Sequence, residues 1–308
     1  MMSLPVSFFE NLYYRPKWYH RPVAVLLLPL SLIYASLMWL RRMVAKPRNF
    51  GIPVISVGNI LVGGSGKTPM TIELAKRFEK PAVVLRGYGR KSSGLVVVSE
   101  WGKIETEVER SGDEAMLLAK SLPNASVIVS GDRPEAIKRA KELGAEVVFL
   151  DDGFSKVGIE KFDILLYPAK IANTLPLPSG PFREFASARR YADLILVEGR
   201  DFSRIVTCEG CDSPMLLVTA IANPQRLEPF LPKGLVKGRL ILPDHAWFDK
   251  EEIEEAMKKA GVEKILTTEK DAVKLERFGF ETALLRLRLD VAPYVYEAVE
   301  RSVEDGKG

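Results

Sequence analysis

Short runs of β-branched residues alternate with helix-forming stretches over most of this chain, and that alternation restricts the fold more than any other feature. After Asn49, strand-like runs such as PVISV, PAVVL and AEVVFLDD are separated by stretches with apolar residues at helical spacing, such as MTIELAKRF and RPEAIKRAKEL. Strands and helices that take turns in this way form a parallel sheet covered on both faces. We therefore predict an α/β protein whose ligands bind beyond the carboxyl ends of the strands.

Length and one change in composition predict how the chain divides. Its 308 residues are enough for about two domains. The stretch 199–214 has little periodicity, and new strand and helix signals follow it in MLLVTAI and KEEIEEAMKKAG. We predict an N-terminal segment over 1–48, a main domain over 49–200 and a smaller α/β domain over 201–308.

Composition excludes several classes of protein. Hydrophobic residues make up 47% of the chain and charged residues 27%, which is typical of a folded protein rather than a disordered one. The net charge of +4 is mild and does not indicate nucleic-acid binding. Cys208 and Cys211 form a single C-x-x-C without the second pair that a structural zinc site normally needs. We interpret them as two thiols in a turn, with no disulfide framework.

A long uncharged segment lies near the N-terminus. Residues 22–40 carry no charge, and as a helix they would nearly cross a hydrocarbon core about 30 Å thick. Basic residues flank both sides, and aromatic residues stand near the ends, where a membrane interface favours them. The apolar centre is too long for a cleaved signal peptide. We predict membrane association by insertion or by shallow burial; a buried core helix is the alternative.

The turn after the first predicted strand has the features of a phosphate loop. A glycine-rich turn lets backbone N–H groups converge on an anion, and the helix that follows adds its positive end. The predicted nucleotide-binding residues are Gly63, Gly64, Ser65, Gly66, Lys67 and Thr68. In such a loop Lys67 would reach the β and γ phosphates, and Thr68 would present its hydroxyl to Mg²⁺.

One position departs from the standard phosphate-loop pattern. G-x-x-x-x-G-K-[ST] requires glycine at position 61, where this chain has Leu61. A plain glycine turn or a dinucleotide-binding loop is the alternative interpretation. A dinucleotide loop, however, has no use for the GKT that ends this turn.

Acidic and histidine side chains stand after other predicted strands or in loops. Asp151 and Asp152 end VVFLDD and are predicted to bind Mg²⁺ directly or through water, the alternative being aspartates that only begin a turn. Asp113 in SGDE is a candidate acceptor for a hydroxyl proton, or else a helix cap. His245, beside Asp244, would orient or tune a carboxylate, or else be a surface residue.

Taken in order, these motifs resemble the tetraacyldisaccharide 4'-kinase family. The resemblance covers about residues 50–275 and rests on SVGNILVGGSGKTP, LRGYGRK, GDEAMLLAK, GDRPEAI, FLDDGF, LPSGPFRE, AIANPQRLEPFL, LPDHAWF and TTEKDAVKL. The relaxed glycine pattern around Leu61 is the family's own form. The resemblance implies a P-loop NTPase-type parallel sheet flanked by helices, a second, smaller α/β domain with the site between the two, and an N-terminal membrane-associating segment.

The resemblance also implies the reaction. Such a kinase transfers the γ-phosphate of ATP, with Mg²⁺, to the 4'-hydroxyl of a tetraacyldisaccharide 1-phosphate in lipid A biosynthesis. It would work at the cytoplasmic face of the inner membrane, as a peripheral or single-span protein held by residues 22–40. We expect a monomer that binds a lipid substrate and a membrane, and no nucleic acid.

Family roles carry over where residues match. Asp113 becomes the candidate catalytic base, His245 its helper, and Lys67 the cation at the phosphates. The predicted metal ligands are Thr68, Asp151, Asp152 and Glu184. Arg183 and Glu184, in GPFRE, match positions near the phosphates. The family usually continues DDGFQHR, whereas this chain has Ser155 and Lys156 in place of the glutamine and histidine, so no role is carried over to those two side chains.

The main alternative is a membrane-recruited P-loop NTPase that acts as a switch, without a small-molecule acceptor. A GTPase should have the guanine-reading N-K-x-D, but the nearest string, TTEKD, has lysine and aspartate adjacent. A transport ATPase should have an LSGGQ-like signature, which the sequence lacks. The kinase interpretation therefore accounts for more of the motifs.

Overall fold

The structure is a computed structural model that describes residues 4–63 and 66–306. Within these residues the α-helices are α1 (Leu4–Tyr14), α2 (Arg21–Val44), α3 (Lys67–Ala75), α4 (Val108–Ser111), α5 (Asp113–Ser121), α6 (Arg133–Glu142), α7 (Lys250–Ala260), α8 (Glu269–Leu275) and α9 (Pro293–Asp305). The strands are β1 (Val54–Gly58), β2 (Pro81–Leu85), β3 (Val96–Glu100), β4 (Lys103–Ile104), β5 (Ser126–Val129), β6 (Val147–Asp151), β7 (Phe162–Tyr167), β8 (Leu194–Val197), β9 (Phe202–Glu209), β10 (Met215–Thr219), β11 (Val236–Ile241), β12 (Lys264–Thr268) and β13 (Glu281–Val291).

The chain forms two compact units that interleave along the sequence. The first unit comprises Met1–Lys67, Val147–Ser203 and Val291–Gly308, and the second comprises Thr68–Glu146 and Arg204–Asp290. The predicted domains over 49–200 and 201–308 are a different division of the chain and stay a prediction.

Parallel strands form the centre of the first unit. Its strands run in the order β6-β1-β7-β8, and each neighbouring pair is parallel. All five residues of β1 and of β6 are buried, as expected for strands covered on both faces. Val57 near the end of β1 lies opposite Asp151 at the end of β6. The loop after β1 and the acids after β6 therefore leave the sheet at the same edge.

The second unit contains two groups of strands. One runs in the order β4-β3-β5-β2, with β2 and β5 parallel and β3 antiparallel to β5. The other is a five-stranded sheet in the order β11-β10-β12-β13-β9, in which β10 pairs with β11 and β12 in parallel and β12 pairs with β13 in parallel. The predicted α/β class with parallel sheets is confirmed.

Leu61 explains the departure from the standard glycine pattern. Its side chain is only 6% exposed and belongs to a buried cluster with Ile60, Phe154 and Phe182 in the first unit. Leu61 also forms an isolated β-bridge with Phe182. A glycine here would remove an apolar side chain from the core. The Leu61 side chain therefore contributes to core packing rather than to phosphate binding.

The uncharged segment forms the single helix α2, which packs along a narrow face on the rest of the first unit. Ala24, Ser31 and Ala35 are buried there. The Ser31 hydroxyl donates to Ser179 Oγ at 2.8 Å, and the Ser179 hydroxyl donates to the Ala24 carbonyl at 2.8 Å. Within Trp18–Val44, only 17% of the 18-residue apolar stretch is buried inside the protein. By length and composition this helix could cross a membrane, and most of its apolar surface faces outward.

The expectation for the cysteines is wrong. Cys208 and Cys211 are joined by a disulfide in the second unit, at the end of β9 and in the turn that follows it. Their Cα atoms lie 5.8 Å apart, a normal separation for a bonded pair. The sequence could not indicate this, because it does not reveal how tightly the turn folds back.

Candidate functional site

The loop after β1 delivers Lys67 to the end of the first unit's sheet. Gly63 and Gly66 have φ values of +96° and +85°, which glycine adopts without strain. Gly64 and Ser65 lie outside the described residues, so the prediction for them stays a prediction. Lys67 is the first residue of α3, and its ammonium lies 3.6 Å from Asp152 Oδ1 and 3.5 Å from Asn59 Oδ1.

Gly58 allows this loop to start where it does. A Cβ on Gly58 would lie 2.4 Å from the Phe154 Cβ and 2.8 Å from the Phe154 backbone nitrogen. Such contacts are impossible without moving the backbone, so only glycine lets the end of β1 pass this close to the segment after β6.

The acidic pair lies where the sequence predicts it. Asp151 ends β6 and is 4% exposed, and Asp152 follows with a φ of +58°, an uncommon value that aspartate tolerates better than most residues. The Asp152 carboxylate contacts the Lys67 ammonium through one oxygen and the Arg183 guanidinium, at 3.4 Å, through the other. A lysine, an arginine and an aspartate thus meet at the mouth of the phosphate loop.

Glu184 has a partner that the sequence did not indicate. Arg42, in the last turn of α2, binds the Glu184 carboxylate through two hydrogen bonds, Nε to Oε2 at 3.0 Å and Nη2 to Oε1 at 2.9 Å. The guanidinium also lies over the rings of Phe154 and Tyr191 at 4.7 and 5.0 Å. Both charged side chains are nearly buried, with 9% and 11% exposed. From the sequence alone, Arg42 is only one of the basic residues that flank the apolar segment.

A metal cage made by protein side chains alone is absent from the described residues, since no three Asp, Glu, His or Cys side chains there are grouped to hold an ion. Magnesium in phosphoryl-transfer sites is usually bound by one or two carboxylates together with substrate phosphates and water. The arrangement of Asp151 and Asp152 fits that mode better than a preformed cage.

A second cluster lies within the second unit, around Asp113. Asp113 is the first residue of α5 and is 4% exposed. Both of its carboxylate oxygens lie 3.0 Å from His245 Nδ1, and Oδ2 lies 3.3 Å from the Lys274 ammonium and 4.0 Å from that of Lys270. Oδ1 also accepts a hydrogen bond from the backbone of Glu114 at 2.9 Å. The N-cap of α5 is Gly112, so Asp113 is not the capping residue of this helix.

His245 is held in an unusual backbone conformation. Its φ is +61°, and its backbone N–H donates to the Ala220 carbonyl at 3.1 Å. Nδ1 faces Asp113, while Nε2 lies 3.5 Å from the Lys270 ammonium and 3.6 Å from Asp244 Oδ2. Strained residues of this kind often stand at functional positions, where surrounding contacts hold them.

The pKa values of this cluster follow from its contacts. Burial raises the pKa of Asp113, but the hydrogen bond with His245 and the charges of Lys270, His245 and Lys274 together lower it to about 2. The hydrogen bond to Asp113 raises the pKa of His245 above its ordinary value, against the effect of burial. Asp113 is therefore an ionised carboxylate at neutral pH, facing an imidazole that readily takes a proton.

The two lysines beside Asp113 were not predicted. Lys270 and Lys274 stand one helical turn apart on α8, in the string TTEKDAVKL. Residues at i and i+4 lie on one face of a helix, so this spacing was a usable signal that both ammonium groups could serve one anion.

Comparison with known proteins identifies the family. The family model for tetraacyldisaccharide-1-P 4'-kinase, LpxK, matches residues 23–212 and 206–304. The chain belongs to this family. The tetraacyldisaccharide 4'-kinase of Aliarcobacter butzleri is 48% identical over 95% of this chain and 94% of its own. That of Helicobacter pylori is 44% identical over 98% of this chain and 96% of its own.

A solved structure supports the fold. The crystal structure of LpxK from Aquifex aeolicus in complex with ATP matches with a TM-score of 0.74 at 28% identity, covering 91% of this chain and 99% of that one. The predicted resemblance to this kinase family is confirmed, together with the α/β fold. The roles of individual side chains remain proposals.

Proposed function

We propose that this kinase transfers the γ-phosphate of ATP to the 4'-hydroxyl of a tetraacyldisaccharide 1-phosphate, a step of lipid A biosynthesis. The observation that carries the proposal is the family match over residues 23–304. The relatives from Aliarcobacter butzleri and Helicobacter pylori, both tetraacyldisaccharide 4'-kinases, support it. The two clusters supply complementary parts of such a reaction. Cations at the mouth of a phosphate loop suit the donor, and an ionised buried carboxylate suits the acceptor.

The nucleotide end of the reaction is assigned to the first cluster. Backbone N–H groups of the loop over residues 63–66 would surround the phosphates, and Lys67 would lie against the γ-phosphate. Lys67 and Arg183 both contact Asp152 in the structure. Phosphate oxygens are stronger anionic partners for the two cations, so nucleotide binding would compete with Asp152 for them.

The side chains after β6 fit a magnesium ion by their chemistry. Asp151 and Asp152 offer the hard oxygen ligands that Mg²⁺ prefers, and Thr68 follows Lys67 directly in the chain. When bound there, Mg²⁺ would offset charge on the phosphate oxygens. The role of Glu184 as a ligand stays a prediction, since its carboxylate is bound by Arg42.

The acceptor end of the reaction is assigned to Asp113. An ionised carboxylate can accept a hydrogen bond from the sugar hydroxyl and take its proton as the bond to phosphorus forms. His245 holds that carboxylate through Nδ1, and this hydrogen bond raises the pKa of the imidazole above its ordinary value. In the predicted alternative, a switch without an acceptor, a buried carboxylate held by a histidine and two lysines would have no role.

We propose that α2 lies along the membrane surface rather than spanning it. The helix is hydrogen-bonded to the rest of the folded protein near its middle, at Ser31, and again near its end, at Arg42. A helix packed on protein at both points cannot be surrounded by lipid along its length. Its outward apolar side chains can enter the headgroup and acyl boundary of the cytoplasmic leaflet, where ATP is available and a lipid acceptor can be reached.

Replacing Leu26 and Ile33 together with glutamate tests this membrane contact. The two side chains are 79% and 59% exposed and lie seven residues apart on α2. Each apolar side chain of this size is worth about 1.5–3 kcal/mol when buried, so the loss of both should weaken vesicle binding by at least roughly 10²-fold. Flotation with vesicles of phosphatidylethanolamine and phosphatidylglycerol measures the binding.

A matched control is available in the second unit. Ile205 and Ile241 are 49% and 43% exposed on β9 and β11, and their replacement with glutamate should leave vesicle binding unchanged. If the α2 variant still binds like the native chain, α2 is not the membrane contact.

The proposed reaction is tested by transfer of labelled γ-phosphate from ATP to a tetraacyldisaccharide 1-phosphate in mixed micelles. A product phosphorylated at the 4'-hydroxyl supports the proposal. Equal hydrolysis of ATP with and without the lipid, with no lipid product, would favour the switch-type NTPase instead.

A further inference from the structure

Lys274 is a fully buried lysine inside the second unit. Its side chain is 1% exposed, although lysine is almost never fully buried unless it is paired. The ammonium group donates to the Ala246 carbonyl at 2.9 Å and lies 3.3 Å from Asp113 Oδ2 and 3.5 Å from Asp271 Oδ1. It also lies 5.1 Å from the centre of the Phe248 ring. The ammonium donates hydrogen bonds to the Ala246 carbonyl and to Asp113, and its contact with Asp271 is that of an ion pair.

The partners of Lys274 belong to different elements. Asp113 begins α5, Ala246 follows His245 in the loop before α7, and Asp271 is on the same helix as Lys274. One buried ammonium therefore ties the carboxylate of the candidate base to the backbone of the residue next to its histidine partner.

We propose that Lys274 is a positioning residue, whose buried ammonium holds the Asp113 carboxylate and the His245 loop in the arrangement that accepts the hydroxyl proton. The proposal rests on the proposed function for its kinetic consequence. Its geometric consequence, the pairing of His245 with Asp113, can be measured without any substrate.

Lys270 has a different role in the same cluster. Its side chain is 18% exposed, and its ammonium lies 3.2 Å from Asp244, 3.6 Å from Glu114 and 4.0 Å from Asp113. Its ammonium also lies 3.5 Å from His245 Nε2. Within the part of the chain that the structure describes, it makes no hydrogen bond to the backbone of the His245 loop. The charged groups around Asp113 are thus His245 and Asp244 from the loop, Lys270, Asp271 and Lys274 from α8, and Glu114 from α5.

The kinetic test compares Lys274→Met with the native kinase. Methionine keeps the length and apolar stem of the side chain but cannot hold Asp113 or the Ala246 carbonyl. We expect kcat to fall by on the order of 10²-fold, the lower end of what a general base contributes, with the KM for ATP little changed. A loss confined to KM for ATP would contradict the proposal.

Lys264→Met is the matched control. Lys264 is also a nearly buried lysine of the second unit, with 9% of its side chain exposed, and it is bound to Asp212 and Glu281 at 2.6 and 2.7 Å. The carboxylates that it pairs with are 73% and 68% exposed, so its loss should cost less stability than the loss of Lys274, and it should leave kcat unchanged. An equal loss of kcat in both variants would mean that Lys274 acts only through general stability.

A second variant guards against misfolding. Lys274→Met combined with Asp271→Asn removes one positive and one negative charge together. Asp271 Oδ2 accepts hydrogen bonds from Thr219 and Thr268 side chains and from the Ala220 backbone, which an asparagine oxygen can still accept. We expect this protein to fold and to keep the low kcat.

The decisive readout is the titration of His245 by NMR, without ATP or lipid. The chain has two histidines, so a His20→Gln variant assigns the signals. In the native protein His245 should titrate above its ordinary pKa, because Asp113 faces it. In Lys274→Met the pKa should fall toward its ordinary value of about 6.5, because the carboxylate is no longer held against the imidazole.

The opposite shift would overturn the proposal. If Lys274 contributed only a positive charge, its removal would favour the protonated imidazole and raise the pKa of His245 further. Because this titration needs no turnover, it decides the positioning role even if the proposed phosphate transfer is absent.

Discussion

Asp113→Asn is expected to lower kcat for phosphate transfer by roughly 10³-fold, the middle of the range that a positioned general base contributes. Asparagine has nearly the shape of aspartate and can still accept the hydrogen bond from the Glu114 backbone. It cannot take a proton from the acceptor hydroxyl. The measurement is the rate of labelled phosphate transfer at saturating ATP and lipid.

The low pKa of Asp113 is compatible with a base that accepts the proton late in the reaction. A carboxylate with a pKa of about 2 is a weak base that is ionised at any physiological pH. Phosphoryl transfer passes through a loose transition state, so the hydroxyl loses its proton late, when it has become far more acidic. The activity of the native kinase should therefore not depend on the ionisation of Asp113 between about pH 5 and 8.

Glu114→Gln is the control for this variant. Glu114 is adjacent to Asp113, its side chain is 31% exposed, and it contacts Lys270 at 3.6 Å. It faces the same lysine but not His245, so its replacement should change kcat little. Transfer that survives in Asp113→Asn would keep the kinase and reduce Asp113 to a structural residue at the start of α5.

Lys67→Met is expected to lower kcat by about 10²- to 10³-fold, the cost of removing one preorganised donor from developing charge. Its ammonium is held at the mouth of the phosphate loop, 3.6 Å from Asp152 and 15% exposed. Methionine preserves the stem and removes the charge that would lie against the transferring phosphate. Single-turnover transfer at saturating ATP separates this effect from weaker binding.

Lys76→Met controls for the loss of a positive charge nearby in the sequence. Lys76 directly follows α3, is 38% exposed and pairs with Glu73 at 2.9 Å. Removing it should leave transfer unchanged. If Lys67→Met lowered only the affinity for ATP and left the single-turnover rate intact, Lys67 would bind the nucleotide without assisting the chemistry.

Arg42 illustrates what local sequence cannot reveal. The arginines that follow the apolar segment are explained equally well as membrane-flanking charges, and nothing near Arg42 indicates a carboxylate partner. That partner, Glu184, is 142 positions away. Only the packing of α2 on the rest of the first unit brings the two together.

The sequence alone determined the features that depend on local chemistry and periodicity. Alternating strand and helix patterns predicted the α/β fold, the glycine-rich turn placed Lys67 at the start of a helix, and the uncharged segment predicted α2. These are correct because backbone propensity and side-chain spacing act over a few residues. The resemblance of its motifs to those of a kinase family predicted the reaction.

The tertiary structure alone decided which side chains meet. His245 lies 132 positions from Asp113, and Lys274 lies 161 positions from it, yet all three form one buried cluster. The sequence does not show which charged side chains will be buried. A charged side chain that is buried away from water must pair with another polar group, and the fold decides which one. That requirement accounts for Lys274, because the folded chain places its ammonium between the Asp113 carboxylate and the Ala246 carbonyl of the His245 loop.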